Sequence, residues 1–182
     1  MIPTLPVQLK CPKCGAQYVA QLQSIIDVGK QPRLKAALLR GTLNAVACSS
    51  CGAVGQVSTP LLYHDPAKEL LLVLIPPELS LQVADRERLI GSLVNALMST
   101  VPAEQRKGYF LNPRTVLTMS SLIDEIYRAD GVTEQMLEKQ HARSRLMQDL
   151  LAAMDDDDKL TSLTQEHKNS IDYPFLLTMA AI

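Results

Sequence analysis

Short stretches of alternating apolar and polar positions predict strands near the start of the chain. Tyr18, Ala20 and Leu22 occupy every second position of residues 16–22, which is the period of a half-buried strand. Residues 7–10 form another extended stretch, on the opposite side of the sequence "CPKCG". We therefore expect these two stretches to pair as a hairpin folded over that turn.

The following segment predicts a short helix and then two more extended stretches. Residues 31–41 have Pro32 near their start and Gly41 at their end, which are signals for the two ends of a helix. Residues 43–47 lead into the sequence "CSSCG", and residues 53–59 leave it. We expect the helix to be an insertion between the two cysteine-containing turns.

Two apolar runs within residues 61–75 predict a β-hairpin. They flank the sequence "HDPAK", in which Asp65 and Pro66 favour a turn. His64 is expected in the same turn, and two consecutive prolines end the second strand.

Beyond this hairpin the apolar side chains recur at the spacing of helices. A helical stripe runs from Leu89 to Met98. Ser121 precedes a further stripe as its predicted N-cap. Gly131 should end that helix, and a longer one should begin near Thr133.

An acidic run at residues 155–158 separates the last helices. Four consecutive aspartates would oppose the dipole at the C-terminal end of a helix but favour the N-terminal end of the next. One helix should therefore stop before the run. The next has one face formed by Leu160, Leu163, His167 and Ile171.

Composition indicates which side chains form the core and in which cellular compartment the protein is expected. The chain has 182 residues, 47% of them apolar, and no tryptophan, so one domain with an extension could bury a core of aliphatic side chains. The longest apolar run, at residues 70–75, is far shorter than the roughly 18 residues of a membrane helix. No secretory signal is visible at the N-terminus, and we expect a cytoplasmic protein.

The four cysteines form two matched pairs, and each pair is followed by a glycine: Cys11 and Cys14 before Gly15, Cys48 and Cys51 before Gly52. A tetrahedral zinc ion takes four thiolates at about 2.3 Å, and a C-x-x-C turn brings two sulfur atoms to one side of a loop. The following residue favours a positive φ, which glycine adopts without strain. Two such pairs predict one shared zinc ion, and four sulfur ligands leave no position for water, so the site should be structural.

Other uses of the cysteines stay open at this point. Disulfides suit a secreted chain, a redox C-x-x-C usually occurs singly near a strand–helix junction, iron is an alternative to zinc, and the thiols could be unligated. The pairs are also farther apart than in a compact zinc ribbon, with thirty-three residues between them where about 15–20 are usual.

Charge is distributed unevenly, and this raises the alternative of a nucleic-acid-binding protein. Residues 1–60 carry one acid and six basic residues, a formal charge of +5, whereas residues 61–182 carry −6. The six basic residues are weak candidates for phosphate contacts: Lys10, Lys13, Lys30, Arg33, Lys35 and Arg40. Tyr18 is the one aromatic residue of residues 1–60 that could stack on a base. An ordinary solvated basic face explains the same pattern of charges.

Motifs for catalysis are missing from the sequence. It contains no nucleophile motif G-x-S-x-G, no phosphate-binding G-x-x-x-x-G-K and no dinucleotide glycine pattern. None of the histidines lies beside a cysteine pair. We predict no catalytic residues and favour a non-enzymatic role, with an enzyme site built from distant loops as a third alternative.

The cysteine pairs, the "LN" before the second pair and the "LLYHDP" after it resemble the CpXC domain family of bacteria and archaea. The family signature is cysteine–proline–any–cysteine, occurring twice. Cys11, Pro12 and Cys14 fit it fully, whereas Ser49 stands where the second proline is expected. The resemblance covers residues from about 5 to 130 and implies a zinc-binding domain of uncharacterised function.

Together these features predict an α+β protein. A zinc-ribbon-like antiparallel sheet with a four-cysteine metal site is followed by a β-hairpin and several helices. We place the zinc-binding domain at residues 1–130 and a helical extension at residues 131–182. The C-terminal helices are the predicted contact for a protein partner or a second copy of the chain, and no membrane contact is expected.

Overall fold

A computed structural model describes residues 4–180 of the chain. The chain forms two compact units, Met1–Ala129 and Asp130–Ile182. The strands are β1 (Leu5–Lys10), β2 (Gln17–Leu22), β3 (Ile25–Asp27), β4 (Ala45–Ala47), β5 (Val54–Gln56), β6 (Leu61–Asp65), β7 (Leu70–Leu74) and β8 (Arg114–Val116). The helices are α1 (Pro32–Leu39), α2 (Val83–Met98), α3 (Met119–Ala129), α4 (Glu134–Ala152), α5 (Asp157–Glu166) and α6 (Tyr173–Ala180). The predicted mixed α+β class is confirmed.

A four-stranded mixed sheet forms the centre of the first unit, in the order β3-β6-β7-β8. β6 and β7 are antiparallel, which confirms the predicted hairpin, while β3 pairs with β6 and β8 pairs with β7 in parallel. Every residue of β6 and β7 is buried. Such strands read as continuous apolar runs because both faces of the sheet are covered.

Apolar side chains on the two faces of the sheet form two separate clusters. On one face Leu62, Leu71 and Val73 pack with Leu93 and Leu97 of α2. On the other face the side chains of β6 and β7 pack with α1 and α3: Leu61, Tyr63, Leu72 and Leu74 with Leu38, Leu122 and Ile126. The sheet therefore lies between two helical layers, and the aliphatic core expected from the composition is here.

Two isolated antiparallel hairpins carry the cysteine turns. β1 pairs with β2 from Leu5–Leu22 to Lys10–Gln17, as the alternating pattern predicted. β4 pairs with β5 over three residues of each strand. The first hairpin precedes β3, and the second lies between α1 and β6, so each one leads directly into one strand of the parallel pair.

The second unit contains three helices with their own small core. Leu146, Leu150 and Phe175 are buried together. Thr133 caps α4 and Asp156 caps α5 by accepting hydrogen bonds from the amides of Met136 and Lys159. α4 stops at Ala152, before the acidic run, and α5 begins within it, as the helix-dipole argument predicted.

Arg143 and Asp172 form a bidentate ion pair in this unit. The two nitrogen–oxygen distances are 2.9 and 2.8 Å, and Asp172 also accepts a hydrogen bond from the amide of Phe175 at 2.8 Å. The Arg143 guanidinium, followed by that amide, lowers the pKa of Asp172 to about 2. The pair fixes the start of α6 against α4.

Two local predictions were wrong. Ser121 is not the N-cap of α3, because the helix begins at Met119 and the hydroxyl of Thr118 accepts the amide hydrogen bond of Ser121 at 3.1 Å. His64 and Asp65 do not lie in the hairpin turn, because β6 continues through Asp65 and the turn starts at Pro66. His64 is consequently a core residue, 2% exposed.

The helices of residues 4–180 include none that is long and apolar enough to cross a membrane.

Candidate metal centre

The two cysteine turns have the same backbone structure. In the first, the amide of Cys11 donates to the carbonyl of Ala16, and the amide of Gly15 donates to that of Cys11, both at 2.9 Å. In the second, Cys48 and Gly52 donate to the equivalent carbonyls at 2.8 and 2.9 Å.

The glycine after each pair has the positive φ that its position predicted. The angle is 74° at Gly15 and 70° at Gly52, a conformation that only glycine adopts without strain. Each turn can then close within five residues, and its two sulfur atoms lie on the same side of the hairpin.

The four sulfur atoms gather into one cluster. All lie within 4.8 Å of one another. Two contacts cross between the hairpins: Cys11 Sγ lies 3.7 Å from Cys51 Sγ, and Cys14 Sγ lies 3.7 Å from Cys48 Sγ. These distances are far longer than the roughly 2.05 Å of a disulfide bond, and all four thiols are free.

The cluster has the dimensions of a tetrahedral metal site. For a metal–sulfur distance of about 2.3 Å, the edge of the ligand tetrahedron is about 3.8 Å. The observed contacts of 3.7 Å match that edge. The four cysteines therefore lie close enough to hold one metal ion.

Backbone amides and neighbouring thiols shift the pKa values of the cysteines in opposite directions. The backbone amides of Cys51 and Ser50 lower the pKa of Cys48 to about 6. The backbone amide of Ala16 acts in the same direction on Cys14, but the neighbouring thiols of Cys51 and Cys11 outweigh it and the pKa of Cys14 rises to about 12. Four thiolates at this spacing repel one another, so they ionise together only when a cation lies between them.

The two hairpins are also tied by an asparagine that the sequence did not single out as a site residue. Asn44 accepts a hydrogen bond from the amide of Gln23 at 2.8 Å through Oδ1 and donates to its carbonyl at 2.9 Å through Nδ2. Its φ of 58° is left-handed, a conformation that asparagine adopts more readily than most residues. Asn44 thus joins the end of β2 to the residue before β4.

The six basic residues of the first segment do not form one free cationic face. Lys30 Nζ lies 3.5 Å from Asp27, and Lys35 Nζ lies 3.7 Å from Asp65. The other four are exposed: Lys10, Lys13, Arg33 and Arg40.

A second polar cluster lies in the same unit and was missed by the sequence reasoning. Asp27, His64 and Tyr109 meet at the edge of the mixed sheet, with His64 Nε2 2.8 Å from the Tyr109 hydroxyl and His64 Nδ1 3.3 Å from Asp27 Oδ1. These residues are far apart in the chain, and no motif spacing relates them. The only local signal was a histidine inside an apolar run.

Comparison with known proteins identifies the family. The family model described as CpXC protein matches residues 9–139. Because this match covers well over half of the chain, the chain belongs to the CpXC family, as the resemblance indicated. The match extends past residue 130 into the start of α4. No curated protein and no solved structure matches the chain.

Replacement of Gly52 by alanine should destabilise the second cysteine turn. A Cβ at Gly52 meets no atom within 4 Å, so the change introduces only left-handed strain, about 1–2 kcal/mol. Gly91→Ala is the matched control, because Gly91 lies within α2 and its Cβ also meets nothing; that change should stabilise by up to about 1 kcal/mol. Urea unfolding measures both, and equal stability of the two variants would contradict the strain at Gly52.

Proposed function

We propose that this CpXC protein is an interaction module in which one zinc ion occupies a structural, non-catalytic site. The observation that carries the proposal is the cluster of four sulfur atoms with 3.7 Å contacts between hairpins. Cys11, Cys14, Cys48 and Cys51 are the four ligands. Their thiolates occupy every position of a tetrahedral ion, which leaves no coordination site for water or substrate.

Zinc is favoured by the chemistry of the donor set. Four thiolates in a tetrahedron suit zinc or iron, and zinc adds no redox chemistry to a site whose role is to close a fold. The arrangement of two hairpins joined through paired cysteine turns is zinc-ribbon-like. We take β1–β2 and β4–β5 to be its two halves.

The energetic role of the ion follows from the small size of the hairpins. β5 is exposed along its length, and β4 has only one residue that is half-buried. Such short ribbons do not bury enough apolar surface to stabilise themselves. Zinc binding to four thiolates contributes about 10–16 kcal/mol of apparent free energy at pH 7, which is available to folding.

The C-terminal helices are the proposed contact for a protein partner or a second copy of the chain. Among the side chains of the second unit that the structure describes, three large apolar ones are exposed: Met136, Met154 and Leu176. Methionine side chains adapt to different partner surfaces because they are unbranched and flexible. Met136 lies on α4, Met154 in the segment after α4 and Leu176 on α6, and these residues support an interaction surface on the second unit.

Removal of one thiol should abolish stoichiometric zinc binding. We expect one zinc per chain in the unaltered protein, by elemental analysis combined with titration of the thiols released on unfolding. Cys51→Ser should lose the ion and the cooperative unfolding of the first unit, since three thiolates no longer complete the tetrahedron around it.

Ser49→Ala is the control for this experiment, because Ser49 is exposed and lies within the same turn but provides no thiol. It should retain one zinc per chain. The structural site would be ruled out if the unaltered chain contained no metal and the Cys51→Ser variant unfolded in the same way as the unaltered chain. Iron in place of zinc would change only the identity of the metal.

Self-association through the second unit predicts a concentration-dependent mass. Sedimentation velocity should show oligomers whose population decreases in the double variant Met136→Ser/Met154→Ser. Leu111→Ser is the control, because Leu111 is 84% exposed but belongs to the first unit. A single monomeric species at all concentrations, with no protein partner recovered, would refute the interaction surface.

Nucleic acid is the second candidate ligand, and the exposure of Lys10, Lys13, Arg33 and Arg40 is the observation that favours it. Binding of a labelled duplex should weaken with salt, with a log–log slope of about −0.9 for each phosphate contact. Arg33→Gln/Arg40→Gln should reduce that slope. Absence of binding at low ionic strength, or an affinity independent of salt, would eliminate this candidate.

A further inference from the structure

Asp27, His64 and Tyr109 are aligned at the carboxyl ends of two parallel strands. Asp27 ends β3 and is the register partner of His64 in β6. The imidazole lies between the carboxylate of Asp27 and the hydroxyl of Tyr109, at 3.3 and 2.8 Å. Ligand sites of open α/β sheets lie outside the carboxyl ends of parallel strands, which is where these three side chains meet.

A small cavity opens beside the three residues. Its volume is about 160 Å³, and its lining includes Asp27, Lys30, His64, Gln105 and Tyr109. A cavity of ~150 Å³ holds a molecule the size of benzene. The space therefore suits a small organic molecule.

The wall of this cavity is formed by a close approach of two loops. A Cβ on Gly29 would lie 2.9 Å from Pro66 Cγ and 3.4 Å from Asp27 Oδ1. Glycine thus allows the loop after β3 to contact the turn after β6, which brings the Asp27 carboxylate beside the imidazole.

Burial keeps the His64 imidazole neutral. The side chain is 3% exposed, and desolvation lowers its pKa, against the opposing effects of Asp27 and Asp65; Lys30 acts in the same direction as desolvation. A neutral imidazole has one nitrogen that donates and one that accepts.

The positions of the protons follow from the groups on either side. Burial, followed by the charges of Glu69, Asp27 and Asp65, raises the pKa of Tyr109. The phenol is therefore protonated. Because the Asp27 carboxylate, which can only accept, faces Nδ1 at 3.3 Å, we assign the imidazole proton to Nδ1. With that tautomer the Tyr109 hydroxyl donates to His64 Nε2.

The contact between Nδ1 and Asp27 is electrostatic and not a well-formed hydrogen bond. Nδ1 is buried without a hydrogen-bond partner among residues 4–180, although Asp27 Oδ1 is 3.3 Å away. A buried donor without a well-formed hydrogen bond lowers the stability of a fold. If His64 served packing alone, an apolar residue at this position would give a more stable fold.

We propose that Tyr109 is a nucleophile towards small uncharged acyl compounds, with His64 as its general base and Asp27 as the residue that positions the base. Tyrosine forms covalent intermediates when an adjacent base activates it. The distance of 2.8 Å from Nε2 to the hydroxyl lies within the range for proton transfer. Tyr109 is only partly buried, so its oxygen is accessible from the cavity.

The step is an acyl transfer. Tyr109 Oη forms a bond to the acyl carbon while its proton moves to His64 Nε2. The bond from the acyl carbon to the leaving group then breaks with its electron pair on the leaving group, which takes the proton from Nε2. The products are an acyl-tyrosine and the protonated leaving group, and no oxidant or reductant is required.

An uncharged substrate is favoured by the charges around the cavity. Asp27 carries a carboxylate that would repel an anion. The Lys30 ammonium is already held by Asp27 at 3.5 Å and by the hydroxyl of Thr100 at 3.0 Å, and it offers little to a second anion. N-acetylimidazole is a suitable probe, since it is neutral and only slightly larger than benzene.

The rate of acetylation at each tyrosine tests the proposal. The full-length chain is treated with N-acetylimidazole, and acetyl-tyrosine is quantified by peptide mass spectrometry, so that reaction at cysteine or lysine does not enter the rate. We expect Tyr109 to react faster than Tyr127, a half-buried tyrosine of α3. His64→Gln should lower the acetylation rate at Tyr109 by about 10²-fold or more. Tyr127→Phe should leave the rate at Tyr109 unchanged.

The pH profile of the unaltered chain decides the question even if His64→Gln fails to fold. Because the pKa of His64 is below its ordinary value of 6.5, the base is neutral and the rate at Tyr109 should be level above about pH 7. A tyrosine that reacts through its own phenolate accelerates with pH up to about 10. That rise, equal rates at Tyr109 and Tyr127, or a folded His64→Gln variant with an unchanged rate would each overturn the proposal.

Discussion

The constraint on which the first unit depends is the convergence of four thiols from two separate hairpins. The sulfur atoms meet at 3.7 Å across the hairpins, although thirty-three residues separate the two turns. The surrounding thiols raise the pKa of Cys14 while backbone amides lower the pKa of Cys48, and four thiolates at this spacing would need a cation between them. β4 and β5 bury no residue fully, so a metal ion held by the four sulfur atoms would add to the closure of this hairpin.

The sulfur cluster and the mixed sheet are connected through the two cysteine hairpins. β2 leads within a few residues into β3, and β5 leads into β6, so the strands that pair in parallel emerge from the two hairpins that share the sulfur cluster. Asn44 joins the hairpins between the cluster and the sheet through its two hydrogen bonds to Gln23. Joining the two cysteine turns therefore shortens the effective loop between β3 and β6, the strands that pair in parallel.

Local features of the sequence predicted local structure well. The matched glycines, the apolar runs around the turn at Pro66 and the helix start near Thr133 all have physical causes that act within a few residues. The parallel pairing of β3 was not predictable in this way, because a strand of three residues carries no periodicity. For the same reason the sequence did not relate Asp27 to His64, nor Lys35 to Asp65. These contacts depend on the register of strands that are distant in the chain.

The unequal exposure of the cysteines determines how a metal ion would leave. Cys11 and Cys48 are buried, at 2% and 3% exposed, whereas Cys14 and Cys51 are exposed. A competing thiol or chelator from solvent therefore reaches the two outer sulfur atoms first. Since the inner pair also comes from different hairpins, an ion that has exchanged its outer ligands still bridges both. Loss of such an ion to a competing chelator would thus proceed by stepwise ligand substitution, and the hairpins would stay joined until the last bonds broke.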